Sequence, residues 1–73
     1  MINKYKEMAE RCLNIGDKIK ITYSDELGLI GKEGIVTHID DIGQIHGTWS
    51  GLAISLEYGD NFTVLERNEN CGN

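Results

Sequence analysis

The feature that most limits what this chain can fold into is a change of hydrophobic period at Asn14-Ile15-Gly16. Before it, apolar residues recur every three to four positions. After it, they recur every second position, in short runs broken by glycine. The first pattern predicts a helix over residues 3–13, with Tyr5, Met8, Ala9, Cys12 and Leu13 on one stripe and Lys4, Lys6, Glu7, Glu10 and Arg11 on the other. Asn3 is placed to cap its start, and Asn14 with Gly16 to stop it.

The second pattern predicts five strands. Residues 16–23 put Ile19, Ile21 and Tyr23 on one face, and residues 34–39 alternate Ile35, Thr37 and Ile39 against Val36 and His38. Residues 44–49 align Ile45, Gly47 and Trp49, residues 52–58 align Leu52, Ile54 and Leu56, and residues 61–66 close with Phe62 and Val64. Short one-faced strands between glycine-bearing turns predict a mainly β fold: a five-stranded antiparallel SH3-like barrel with one N-terminal helix. The expected division is a helix over 1–15, a barrel over 16–66 and a polar, flexible tail over 67–73. Whether the helix caps the barrel or docks a partner stays open at this level, with capping favoured by its short length.

Strand parity constrains the segment Ile39-Asp40-Asp41-Ile42-Gly43-Gln44-Ile45-His46 further. Ile39 and Ile45 both face the core only if they pair with each other, because a one-residue slip turns one of them to solvent. Asp40 then opposes Gln44, and Asp41-Ile42-Gly43 becomes a three-residue hairpin loop with Gly43 at the left-handed position. The same register places His38 opposite His46, away from the core and with Cβ atoms about 4.5–5.5 Å apart. Two imidazoles at that spacing could share a metal. The sequence names no third or fourth donor, so solvated histidines are the favoured reading and no metal or cofactor is expected.

The chain has 73 residues, enough for one small domain in which most apolar side chains are needed for packing. Trp49, the only tryptophan, is accordingly expected in the core rather than on a binding platform, whereas Tyr23 and Tyr58 at strand ends suit a surface patch. Cys12 is expected on the buried helix stripe and Cys71 in the exposed tail; neither belongs to a metal motif, and nothing favours a disulfide between them. The chain has neither a leader-like apolar segment nor an 18-residue apolar run, which gives the expectation of a cytoplasmic protein with no membrane contact. Twelve acidic residues against seven basic ones, a net charge of −5, weigh against nucleic acid, although a stripe of Lys18, Lys20, Lys32 and Arg67 would be its binding surface.

Enzymatic chemistry finds little support. Ser24, Ser50 and Ser55 lack a nucleophile motif, Gly28, Gly31 and Gly34 lack the Lys-Ser/Thr pair of a phosphate loop, and adjacent carboxylates diverge on a strand. The chain is expected not to be an enzyme. The candidate binding residues are His38, His46, Asp40, Asp41, Tyr23, Tyr58 and Trp49.

In motif order the chain resembles a family of small SH3-like domains of unknown function from phages and mobile elements of Gram-positive bacteria. The resemblance is carried by Gly16-Asp17-Lys18-Ile19, by Gly31 to Val36, by Asp40-Asp41-Ile42-Gly43-Gln44-Ile45-His46, by Trp49, and by Gly59-Asp60-Asn61-Phe62. The family usually carries a longer turn after the tryptophan; here Trp49-Ser50-Gly51-Leu52 is tighter. The resemblance implies a phage-encoded binding module in the bacterial host. By analogy, such a module would occlude a host immune protein or sequester a small ligand as an anti-defence protein. The alternative is a nucleic-acid-associated module of the transcription or translation type, and a homo-oligomer is compatible with either.

Overall fold

A computed structural model of the chain describes residues 3–68. The element order is α1 (Lys4–Cys12), β1 (Lys18–Tyr23), a 3-10 turn (Leu27–Leu29), β2 (Glu33–Ile39), β3 (Gln44–Gly47), β4 (Ile54–Ser55), a second 3-10 turn (Leu56–Tyr58) and β5 (Asn61–Glu66). The strands form one antiparallel sheet in the order β4-β3-β2-β1-β5, and this sheet is not closed. Among the described residues no helix is long and apolar enough to cross a membrane.

Asn3 caps α1, its Oδ1 accepting from the amides of Tyr5 and Lys6 at 2.9 and 3.0 Å. The buried stripe is narrower than the period suggests. Ala9 and Leu13 are buried and join the same core as the strands, while Met8 and Cys12 are exposed. A nine-residue helix lying along a sheet buries one line of residues, so the expected packing of Cys12 does not occur. Burial of a leucine such as Leu13 contributes about 2 kcal/mol. The two i,i+4 ion pairs, Lys6–Glu10 and Arg11–Glu7, contribute about 0.3–0.5 kcal/mol each. Docking onto the sheet, rather than surface charge, therefore holds the helix.

Two bulges correct the expected strand parity. In β2, Gly34 and Val36 face inward, and Ile35 and Thr37 face outward. The register then shifts between Val36 and His38, which leaves Thr37 unpaired and returns Ile39 to the core side. In β1, Ile19 and Ile21 are fully buried, but a shift between Ile21 and Tyr23 turns Tyr23 to solvent. The strand expected over 52–58 shrinks to Ile54–Ser55. Ahead of it, the Trp49 indole Nε1 donates to the Leu52 carbonyl at 2.9 Å and Ser50 Oγ accepts from the Leu52 amide at 2.9 Å. This tight turn leaves Leu52 exposed instead of facing the core with Ile54.

Trp49 is buried, with its ring lying over Gly47. A Cβ at Gly47 would overlap that ring and the Ile35 carbonyl oxygen, so only glycine lets the indole close the core at this point.

Asp17 ties the two ends of the fold together. It is fully buried, yet Oδ2 accepts from the Asn14 amide at 3.0 Å and Oδ1 from the Asn68 amide at 2.6 Å. Arg67 Nη1 lies 3.7 Å from Oδ2 and donates to the Cys12 carbonyl at 3.2 Å, and Asn68 Nδ2 donates to the Ile15 carbonyl. The first two residues of the tail expected over 67–73 are thus anchored, while Cys71 lies outside the described residues. Replacing Asp17 by alanine leaves two amides without their acceptor and is expected to cost about 2–3 kcal/mol. Asp25→Ala, at an exposed position, is expected to change stability by less than about 0.5 kcal/mol. Urea unfolding of the two variants checks the contrast.

Candidate functional site

Two surfaces carry the candidate residues, and the first is the β2–β3 hairpin. Ile39 pairs with Ile45, and the Asp40 amide donates to the Gln44 carbonyl at 3.0 Å. The Gly43 amide donates to the Asp40 carbonyl at 3.1 Å, and Gly43 has φ +86°. These contacts agree with the three-residue loop and the left-handed glycine expected from parity. Gly43 is also where α1 meets the hairpin. A Cβ there would stand 2.8 Å from the Lys6 amide nitrogen, closer than real contacts allow. The loop's Asp41 side chain reaches α1 as well, 3.9 Å from Lys6 Nζ, and is otherwise exposed.

Asp40 organises this loop. Its Oδ1 accepts from the Ile42 amide at 3.1 Å and the Gln44 amide at 2.9 Å, and Oδ2 lies 2.9 Å from His46 Nε2. Burial pushes the Asp40 carboxyl up, but the hydrogen bond from His46 and those from the Gln44 and Ile42 amides outweigh it. With the charge of protonated His46 added, the net shift is downward from the ordinary carboxylate range. An ionised carboxylate only accepts, so Nε2 of His46 carries a proton and, in the neutral ring, Nδ1 keeps its lone pair. His38 faces His46 as expected, with ring centroids 5.5 Å apart and planes inclined at 37°. His38 is exposed and borders a groove of about 350 Å³ between the end of α1 and β2.

The second surface is a groove of about 280 Å³ between the loop after β1 and the segment around β4. Ser24, Asp25, Glu26 and Leu29 line one side, and Leu52, Ala53, Tyr58 and Asp60 the other. Asp60 holds the two sides together, with Oδ2 accepting from the Ser55 amide at 2.9 Å and Oδ1 from the Asp25 amide at 3.3 Å. The hydroxyls of Ser24 and Ser55 are buried and accept from the Glu26 and Glu57 amides, so both serve the turns that shape the groove. Tyr58 is 64% exposed and Leu52 53%, leaving apolar surface open to solvent at the rim.

Charge is distributed unevenly between these surfaces. Glu7, Glu10, Asp17, Glu33, Asp40 and Asp41 each lie within 4 Å of a Lys, Arg or His nitrogen. Among the described residues, Asp25, Glu26, Glu57 and Asp60 have no such partner; Glu66 on β5 is the other unpaired acid. Three of these uncompensated carboxylates, Asp25, Glu26 and Asp60, therefore line one groove. The supposed basic stripe is broken up: Lys18 lies 3.9 Å from Glu33 and Arg67 is engaged with Asp17, leaving Lys20 and Lys32.

Of the residues singled out in the sequence, the structure brings together His38, His46 and Asp40, with Asp41 on the same hairpin. Tyr58 lies in the groove, Tyr23 is exposed but does not line it, and Trp49 is in the core. Asp25, Glu26, Leu52 and Asp60 gain their significance only from the fold. Asp25 and Asp60 are 35 positions apart in the chain, and no local pattern announces their meeting. Among the described residues no three of His, Cys, Asp and Glu are grouped to hold a metal ion. No protein-family model, curated protein or solved structure matches this chain.

The depressed Asp40 carboxyl has a defined pH signature. A folded-state pKa below the unfolded value gives stability that is present above the unfolded value, about 3.9, and is lost as pH falls through the folded one. Asp40→Asn keeps an oxygen for the loop amides but loses the charge. It is expected to be about 1 kcal/mol less stable than the parent at pH 5, with the gap closing toward about pH 2. Urea titrations across this range measure it, and a gap that stayed constant would contradict the assignment.

Proposed function

We propose that the protein is a non-enzymatic binding module that takes a cationic, partly apolar segment of a protein partner into the groove bounded by residues 24–29 and 52–60. The observation that carries this reading is that Asp25, Glu26 and Asp60, without basic partners, line a groove together with exposed Tyr58 and Leu52. A lysine or arginine entering there finds carboxylates that no internal cation already satisfies, while the methylene stem packs on the tyrosine ring. The net charge of −5 favours encounter with a positive partner. The Asp60 bonds to both walls keep the groove preformed, which lowers the ordering cost of binding.

The architecture is read as SH3-like. The strand order β4-β3-β2-β1-β5, the long connection between β1 and β2 and the 3-10 turn between β4 and β5 support that reading. The motif order supports the setting of a phage or mobile element, with the module acting in the cytoplasm of the bacterial host. There it would mask a basic surface of a host immune protein as an anti-defence factor. The rival nucleic-acid role fits less well, because Lys18 and Arg67 are already engaged by Glu33 and Asp17.

The direct test is titration of the isotopically labelled protein with short peptides that place Lys or Arg beside Leu or Tyr, against matched peptides carrying Glu. The cationic set is expected to shift resonances of residues 24–29 and 52–60. Asp25→Lys with Glu26→Lys, or Tyr58→Ala alone, is expected to weaken binding at least about tenfold, or 1.4 kcal/mol. Equal binding of both peptide sets, or shifts confined to other surfaces, would refute the groove. Coexpression with a panel of bacterial defence systems under phage challenge tests the biological role. Protection is expected from the parent and not from the groove variants, and no protection by the parent against any system overturns the anti-defence reading.

A further inference from the structure

The hairpin carries a second, independent arrangement: two imidazoles that face each other across β2 and β3, one of them oriented by a carboxylate. We propose that His38 and His46 form an open chelating site for a borderline divalent transition metal, Zn²⁺, Ni²⁺ or Cu²⁺, with Asp40 as the positioning residue.

Geometry carries the argument first. Two imidazoles on one metal, each with a metal–nitrogen distance of about 2.0–2.1 Å, place their ring centres about 5 Å apart at a tetrahedral angle. The observed separation of 5.5 Å is close to that spacing. The register that creates the pair is locked by the Ile39–Ile45 pairing, by the left-handed Gly43 and by the Asp40 bonds to two loop amides. The backbone positions of both ligands are therefore fixed before metal arrives, and only the His38 ring remains to be ordered.

Ligand chemistry carries it next. A metal-binding histidine commonly gives its other ring N–H to a carboxylate, which sets the tautomer and raises the basicity of the ligating nitrogen. The 2.9 Å contact from His46 Nε2 to Asp40 Oδ2 supplies that arrangement and assigns Nδ1 as the ligating atom of His46. His38 is exposed and has no side-chain hydrogen bond among the described residues, so its ring turns freely toward the partner ring. Two nitrogen donors suit Zn²⁺, Ni²⁺ and Cu²⁺ and disfavour the oxygen-seeking Mg²⁺ and Ca²⁺. Among the described residues no third protein donor is grouped with the pair, so the remaining coordination positions are open to water or to a further donor.

Calorimetric titration of the untagged full chain with Ni²⁺, and separately with Zn²⁺, tests the proposal, paired with electron paramagnetic resonance of the Cu²⁺ form. One ion per chain at micromolar affinity is expected, together with hyperfine structure from two imidazole nitrogens and no response to Mg²⁺. His38→Ala, at an exposed position, is expected to leave the fold intact and to weaken binding at least tenfold, and His46→Ala to do the same. Asp40→Asn is expected to weaken it severalfold while the two-nitrogen signature persists, a split that a purely structural role for Asp40 would not produce. The proposal is overturned if His38→Ala binds as tightly as the parent. It is equally overturned if binding disappears in a Cys12→Ser, Cys71→Ser double variant while surviving in both histidine variants.

Discussion

The carboxylate of Asp40 is the interaction on which the rest of the hairpin side of this molecule depends. Three donors converge on it: the Ile42 and Gln44 amides and the His46 ring. The two amides define the loop, the loop defines the register, and the register puts Ile39 and Ile45 into the core together. The third donor turns His46 toward the loop and leaves its other nitrogen available. The loop then receives α1 at Gly43, which has no Cβ to hold the helix away. One side chain thus couples strand pairing, helix docking and the exposed imidazole pair.

Asp17 and Asp60 act in the same manner elsewhere, each accepting one backbone amide from nearby in the chain and one from a distant segment. In a domain of this size the apolar core is small, and carboxylates bonded to several amides add specificity that a handful of isoleucines does not provide. An acidic composition is thereby used in two ways. Asp17, Asp40 and Asp60 hold loops in place. Asp25 and Glu26 have no basic partner within the described molecule and give the groove its negative side.

Much of this was legible in the sequence because it depends on neighbours along the chain. The helix cap at Asn3, the pairing of Ile39 with Ile45, the left-handed Gly43 and the His38–His46 juxtaposition all follow from parity or turn chemistry over a few residues. Errors arose where a single extra residue entered a strand. The bulges at Thr37 and Thr22 leave the sequence pattern looking regular while changing which side chains face inward. The inward facing of Ile35 and the placing of Tyr23 on the face of Ile19 and Ile21 failed for that reason, while the exposure of Tyr23 agrees with its reading as a surface residue. Leu52 failed because the Trp49 indole takes its carbonyl and bends the chain before the strand begins.

By itself, then, the sequence determined the element order, the one-faced strands and the geometry of the hairpin, because these are properties of backbone period and local sterics. Only the tertiary structure decided that α1 joins the sheet's core, that the loop after β1 meets the segment around β4, and that Asp60 bridges them. It alone separated paired from unpaired carboxylates, since an ion pair is a fact about distance in space and the partners here lie up to 50 positions apart, as Asp17 and Arg67 do.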